Sequence, residues 1–193
     1  MAKAIIYAVE NGARIINMSF GDVVLSRFLK DVIQFAFSRN VIMVASSGNS
    51  ATNEIHYPSG LAETISVGSS TRDDVLSGFS NFGNTIDLVA PGSEIISTAV
   101  GGGYNYVNGT SFSAPVVSAV AALVLSNNPG FSAEQVRNIL KTSADDILYN
   151  GWDNLSGAGR VSAENALLVP YAGILNISFP VTNQSTAENI SIQ

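Results

Sequence analysis

The chain has 193 residues, 46% of them apolar, with 9 Lys and Arg against 15 Asp and Glu and a formal net charge of -6. Charged residues make up 12% of it, about half the usual quarter, which argues against disorder and for one core burying roughly 70% of the unfolded surface. The acidic balance offers no basic footprint for nucleic acid or an anionic membrane surface, and with no cysteine disulfides, thiolate nucleophiles and thiolate metal sites drop out.

No run approaches 18 consecutive apolar residues, and residues 1–10 hold too short an apolar stretch for a secretory signal, so neither a membrane span nor an export signal is expected. Ile5, Ala8 and Val9 stand at helical spacing in residues 4–11, ended by Gly12, and predict an opening amphipathic helix. An apolar run at 14–18 closes on Ser19, Phe20 and Gly21 and predicts a strand; Leu25, Phe28, Leu29, Val32, Ile33 and Ala36 then predict a helix. Residues 41–45 are apolar without alternation, the mark of a strand buried on both faces of a parallel sheet, and end abruptly at Ser46. Short runs at 64–67, 86–89 and 95–98 read as further strands, joined by Gly, Asn and Ser.

Residues 113–126 are uncharged and apolar nearly all round, so they predict a helix buried at the centre, with Pro115 in its first turn. Ser132 and Gln135 form a capping box ahead of Val136, Ile139 and Leu140, and residues 162–168 predict one more helix. Alternating strand and helix signals over 1–169 predict an α/β domain of three layers, a mostly parallel sheet between helices. Residues 170–193, without Lys or Arg and partly alternating around Ile174, Ile177 and Phe179, predict a β-type tail that docks on the first domain or begins a further one.

Three segments carry chemistry. Asn108-Gly109-Thr110-Ser111-Phe112-Ser113-Ala114-Pro115 puts a serine at the N-terminus of the buried helix, where unpaired N–H groups and the helix dipole favour an oxyanion. Ala45-Ser46-Ser47-Gly48-Asn49 ends a buried strand, where an Asn amide could donate to developing negative charge. Met18-Ser19-Phe20-Gly21 follows another strand and could lay an extended edge beside a peptide. Taken singly, Ser111 reads first as a helix cap and Asn49 first as a turn residue.

Their order and surroundings resemble the subtilisin-like serine protease family over roughly residues 1–169. Gly109-Thr110-Ser111-Phe112-Ser113-Ala114-Pro115 fits G-T-S-x-[SA]-x-P, and Ala45-Ser46-Ser47-Gly48-Asn49 fits A-x-x-G-N. Residues 16–21, Tyr57-Pro58 and Val89-Ala90-Pro91-Gly92 match the cleft strand, the turn below the primary pocket and the stretch preceding the serine. A G-x-S-x-G elbow is ruled out because residue 113 is Ser.

The resemblance implies a serine endopeptidase with Ser111 as nucleophile and Asn49, with the Ser111 N–H, as oxyanion donors. Ser19, Phe20 and Gly21 would form one wall of the primary pocket and Ala45, Ser46, Ser47 and Gly48 the other, above Tyr57 and Pro58. Their mostly small side chains suggest a medium apolar preference. A location outside the cytoplasm is implied by the family alone.

The family's Asp and His should precede the serine, and neither Asp-[Ser/Thr]-Gly nor His-Gly-Thr-His occurs here. The single histidine, His56, adjoins Tyr57-Pro58 and so belongs at the pocket floor. Asp22, Asp73, Asp74, Asp87, Asp145, Asp146 and Asp153 lack the family's Asp context. The chain therefore reads as the C-terminal part of a protease domain, partnered by an N-terminal part of the same domain and nearly inactive alone.

No cofactor is expected: no His, Asp or Glu cluster has ligand spacing, although the family often holds structural calcium through backbone carbonyls. Six N-x-[ST] triplets, at Asn17, Asn108, Asn154, Asn176, Asn183 and Asn189, arise from an Asn- and Ser-rich composition, and glycans on the first two would obstruct the cleft. Two other functions compete: a non-catalytic relative that holds a peptide along Ser19 to Gly21, and dinucleotide binding at Gly101-Gly102-Gly103, which lacks the G-x-G-x-x-G spacing.

Overall fold

The computed structural model describes residues 1–169; the predicted β-type tail lies outside the described residues. Helix α1 (Ala2–Glu10) leads to strand β1 (Ile15–Met18), helix α2 (Arg27–Ser38) and strand β2 (Ile42–Ser46). Strands β3 (Ile65–Ser70) and β4 (Leu88–Pro91) complete a sheet of order β1-β2-β3-β4, parallel throughout.

β2 shows why its sequence does not alternate. Ile42 and Val44 join the core on one face of the sheet, while Met43 and Ala45 join the core on the other, packed by Ile5 of α1 and Val32, Ile33 and Ala36 of α2. Both faces of the strand are covered, so its positions 42–45 are all apolar.

The predicted strand at 95–98 is β5 (Ile95–Thr98), but it leaves the parallel sheet and pairs antiparallel with β6 (Tyr104–Val107). Gly101, Gly102 and Gly103 make the tip of this hairpin, where the Ala99 N–H donates to the Gly103 carbonyl at 3.1 Å. They join two antiparallel strands rather than a strand and a helix, and so lack the setting that a dinucleotide loop requires.

Helix α3 (Thr110–Asn127) packs on the sheet and on helices α4 (Ala133–Thr142) and α5 (Ala163–Leu168). By length and composition alone it could cross a membrane, yet Ala114, Val117, Ala121 and Val124 lie in the core against Val44, Val67 and Leu88. The three layers expected from the sequence are thus α1 and α2, the sheet, and α3 to α5. The capping box of α4 is present: Ser132 Oγ accepts from the Gln135 N–H at 3.1 Å, and Gln135 Oε1 accepts from the Ser132 N–H at 2.8 Å.

α3 starts three residues earlier than residues 113–126 predict, which moves Pro115 out of the first turn into the helix proper. Proline has no N–H, so the carbonyl four residues back, that of Ser111, loses its intrahelical donor. Ser19 Oγ supplies one instead, at 2.7 Å.

At the amino end of β4, away from the strand ends that carry the candidate site, Asp87 is buried against two cations. It accepts from Arg137 at 3.0 Å, Lys141 at 2.9 Å and the Ser66 N–H at 3.0 Å. Burial by itself would raise its carboxyl pKa, but the charges of Arg137 and Lys141 and these hydrogen bonds outweigh it, and the group is held below the usual carboxylate value.

Candidate active site

The site forms where β1 and β2 end side by side, in register Met18 with Ala45. The chain leaves β1 through Ser19, Phe20 and Gly21 and leaves β2 through Ser47, Gly48 and Asn49, so two segments diverge from one sheet edge. Carboxyl ends of parallel strands are where open α/β sheets place their ligands. A strap closes the space between the segments: Asp22 N–H donates to the Tyr57 carbonyl at 2.9 Å, and Tyr57 N–H donates to the Asp22 carbonyl at 2.7 Å. Pro58, joined to Tyr57 by a cis peptide bond, is buried beneath it.

The N-terminus of α3 meets this edge. Gly109 precedes the helix with φ of +154°, a conformation in which a Cβ is strained. No side chain next to it in sequence caps the helix. The cap comes from 61 residues away: Asn49 Oδ1 accepts both the Thr110 N–H and the Thr110 hydroxyl, each at 2.9 Å. Thr110 Oγ1 in turn accepts from the Gly48 N–H at 3.3 Å. With its oxygen held, the Asn49 amide nitrogen lies on the Gly109 side, 3.6 Å from where a Cβ on that glycine would stand.

Ser111 follows in the first turn, half-buried, and its N–H has no intrahelical acceptor by position. It is not a cap, the ordinary role that a serine ahead of an apolar helix suggests. Its hydroxyl donates to the Ser19 carbonyl at a long 3.4 Å. Ser19 Oγ, donating to the Ser111 carbonyl, also accepts from Asn17 Nδ2 at 2.9 Å. The nucleophile candidate and the first wall residue are therefore tied to each other.

The His56 ring lies between Gly21 and Gly48. The carboxylates named from the sequence are engaged elsewhere: Asp74 and Asp145 with Arg160, Asp87 with Arg137 and Lys141, Asp146 with the Gly151 N–H, Asp153 with the Leu155 and Ser156 N–H groups, and Asp22 with the Val24 N–H. Asp73 is exposed in a turn. Among the described residues no group of three or more His, Asp or Glu could hold a metal ion.

One contributor was missed in the sequence. Asn81 is 3% exposed and donates through Nδ2 to the Ser47 carbonyl at 3.0 Å, while its Oδ1 accepts from the Ser50 N–H at 2.8 Å. It clamps the segment that carries Asn49. Nothing local marks it, since it sits in a polar connection among other Ser, Gly and Asn residues.

The model of the Subtilase family matches residues 1–159. The chain belongs to the subtilase family. It is similar to subtilase Subtilisin BL of Lederbergia lenta, 39% identical over 166 residues, covering 86% of this chain and 61% of that one. M-protease of Shouchella clausii (strain KSM-K16) is 40% identical over 166 residues, covering 86% of this chain and 43% of its own. The chain thus spans about two fifths to three fifths of these relatives' lengths. Among solved structures, fervidolysin from Fervidobacterium pennivorans, a keratinolytic enzyme related to subtilisin, aligns with a TM-score of 0.80 and 33% identity over 88% of this chain and 28% of that one.

Proposed function

We propose that the chain contributes nucleophile, oxyanion donor and primary pocket to a serine endopeptidase that cleaves peptide bonds through an acyl-enzyme. In this reading Ser111 Oγ attacks the carbonyl, and Asn49 Nδ2 with the Ser111 N–H donates to the tetrahedral oxyanion. Ser19, Phe20 and Gly21 line one side of the acyl-side subsite. Ala45, Ser46, Ser47 and Gly48 line the other, with Tyr57 and Pro58 as floor.

The observation that carries the proposal is the pair of hydrogen bonds from Thr110 to Asn49 Oδ1. An amide whose oxygen is fixed twice has its N–H₂ end aimed in advance, and a donor aligned before the reaction stabilises developing charge without reorganisation. An ordinary turn asparagine has no need of a partner at the start of a distant helix.

The base and its carboxylate come, in this proposal, from outside the described residues. Among the described residues the Ser111 hydroxyl has only a carbonyl partner, and a serine is a weak nucleophile without a base. An N-terminal part of the same domain supplies them, adjoining β1 at the sheet edge, and residues 1–169 are the C-terminal part. Peptides are the substrates, and an extracellular or cell-surface location goes with the family resemblance. The non-catalytic alternative gains no support from the comparisons.

The test is hydrolysis of a casein-derived peptide mixture by the longest reading frame that contains the chain, beside its Ser111→Ala variant. Cleavage lost in the variant supports the proposal; cleavage that persists refutes it.

A further inference from the structure

Strand β1 carries one polar residue, Asn17, among Ile15, Ile16 and Met18. Side chains alternate along a strand. Ile16 and Met18 join the core beneath α1 and α2, Ile15 packs on the core of the α3 side, and Asn17 and Ser19 continue that second row toward α3. Opposite them, Ser111 and Ser118 stand seven residues apart, about two turns, on one stripe of the helix.

These residues form one chain of hydrogen bonds. Ser118 Oγ donates to Asn17 Oδ1 at 3.2 Å, Asn17 Nδ2 donates to Ser19 Oγ at 2.9 Å, and Ser19 Oγ donates to the Ser111 carbonyl at 2.7 Å. The direction is forced from the far end. A carbonyl only accepts, so the single Ser19 proton goes to Ser111, and Asn17 must turn its N–H₂ end to Ser19 and its oxygen to a donor, the Ser118 hydroxyl. Ser118 shares its proton with the Ala114 carbonyl, at 3.0 Å.

The chain ends on the carbonyl that Pro115 leaves without its helical donor. The Ser19 carbonyl in turn accepts the Ser111 hydroxyl at 3.4 Å, so residues 19 and 111 are joined through both carbonyls. We propose that Asn17 is a positioning residue for Ser111: by fixing the Ser19 hydroxyl as a donor, it holds the first turn of α3 where Ser111 meets the Asn49 amide. The proposal rests on reading Ser111 as the nucleophile. Asn17 acts through Ser19, not on the substrate. A slightly displaced nucleophile still lets a peptide bind but loses alignment with it, so the cost falls on kcat.

Steady-state kinetics with a chromogenic peptide test this on the longest reading frame that contains the chain. Asn17→Leu removes both of the asparagine's bonds. Asn17→Asp keeps the size and the bond from Ser118, but a carboxylate only accepts, so it draws the Ser19 proton away from Ser111; it reports even if the apolar variant fails to fold. Each is expected to lower kcat about 3- to 10-fold, the worth of one net hydrogen bond, with KM held within about twofold. Asn17→Leu combined with Ser19→Ala should cost no more than Ser19→Ala alone, because members of one network are not additive. Pro115→Ala supplies an N–H to the Ser111 carbonyl, and in that background Asn17→Leu should lower kcat less than about twofold. An asparagine that serves only the fold would show neither the non-additivity nor the rescue. Unchanged kcat in the Asn17 variants, losses that multiply with Ser19→Ala, or a full loss in the Pro115→Ala background overturns the proposal, while Ser111→Ala still abolishes hydrolysis. Hydrolysis that survives Ser111→Ala overturns it together with the reading of Ser111.

Discussion

Asn49 and Thr110 are held together by two hydrogen bonds into one oxygen, both at 2.9 Å, across 61 residues of sequence. The bonds cap α3 and orient the Asn49 amide at once, so helix stability and the proposed oxyanion binding share one contact. Asn49→Ala should lower turnover of the peptidase about 10²- to 10³-fold, the cost known for a subtilisin oxyanion donor, with little change in KM. Steady-state kinetics with a chromogenic peptide check it; a loss in KM alone would contradict the assigned role.

Thr110→Val keeps the N–H bond to Asn49 but removes the hydroxyl, and with it the acceptor for the Gly48 N–H. We expect kcat to fall about 5- to 10-fold, in line with one neutral hydrogen bond, and KM to hold. Thr110→Ser, which retains the hydroxyl, should restore most of the rate. No rescue by serine would mean that the methyl packing matters rather than the bond.

Much of this arrangement can be read from residues alone. Residues 41–45 announce a doubly covered strand, Ser132 and Gln135 announce the start of α4, and the Gly109 to Pro115 motif marks the helix start that carries the proposed nucleophile. The parts that are not legible depend on partners distant in sequence. β6 has Tyr104, Asn105 and Tyr106 all exposed, so this short hairpin strand carries no burial pattern to detect. The α3 boundary is hidden because its cap is Asn49, not a neighbour, and because the carbonyl that Pro115 frees is satisfied by Ser19. Asn81 acts through backbone groups of another loop, which no local pattern records.

The Asp87 cluster predicts an acid-sensitive contribution to stability. The folded-state carboxyl is held below its ordinary value, so its stabilisation is present above the unfolded carboxylate pKa of about 3.9 and is lost as pH falls through the depressed folded value. Asp87→Asn leaves Arg137 and Lys141 without their counter-charge and should cost about 3 kcal/mol at pH 7. Urea unfolding should show that difference shrink below about pH 4; an equal difference at pH 7 and pH 3 would contradict the ion-pair account.

Gly92 lies where the hairpin meets the base of α3, its carbonyl accepting the Gly109 N–H at 2.8 Å. A Cβ there would fall 2.5 Å from Ser69 Oγ and 2.8 Å from the Gly109 carbonyl, and against Ser113 Oγ. Gly92→Ala should destabilise the fold by about 2 kcal/mol through overpacking, a fall in Tm of about 4–8 °C. An unchanged melting curve would show that the turn beneath Ser111 yields freely.

The central claim is that Ser111 is the reacting nucleophile. The most direct measurement treats the longest reading frame containing the chain with a fluorophosphonate and locates the adduct by peptide mass spectrometry. A single adduct on Ser111, absent in Ser111→Ala and formed at least tenfold more slowly in Asn49→Ala, is the predicted result. An adduct on another residue, or peptide hydrolysis that survives Ser111→Ala, would contradict it.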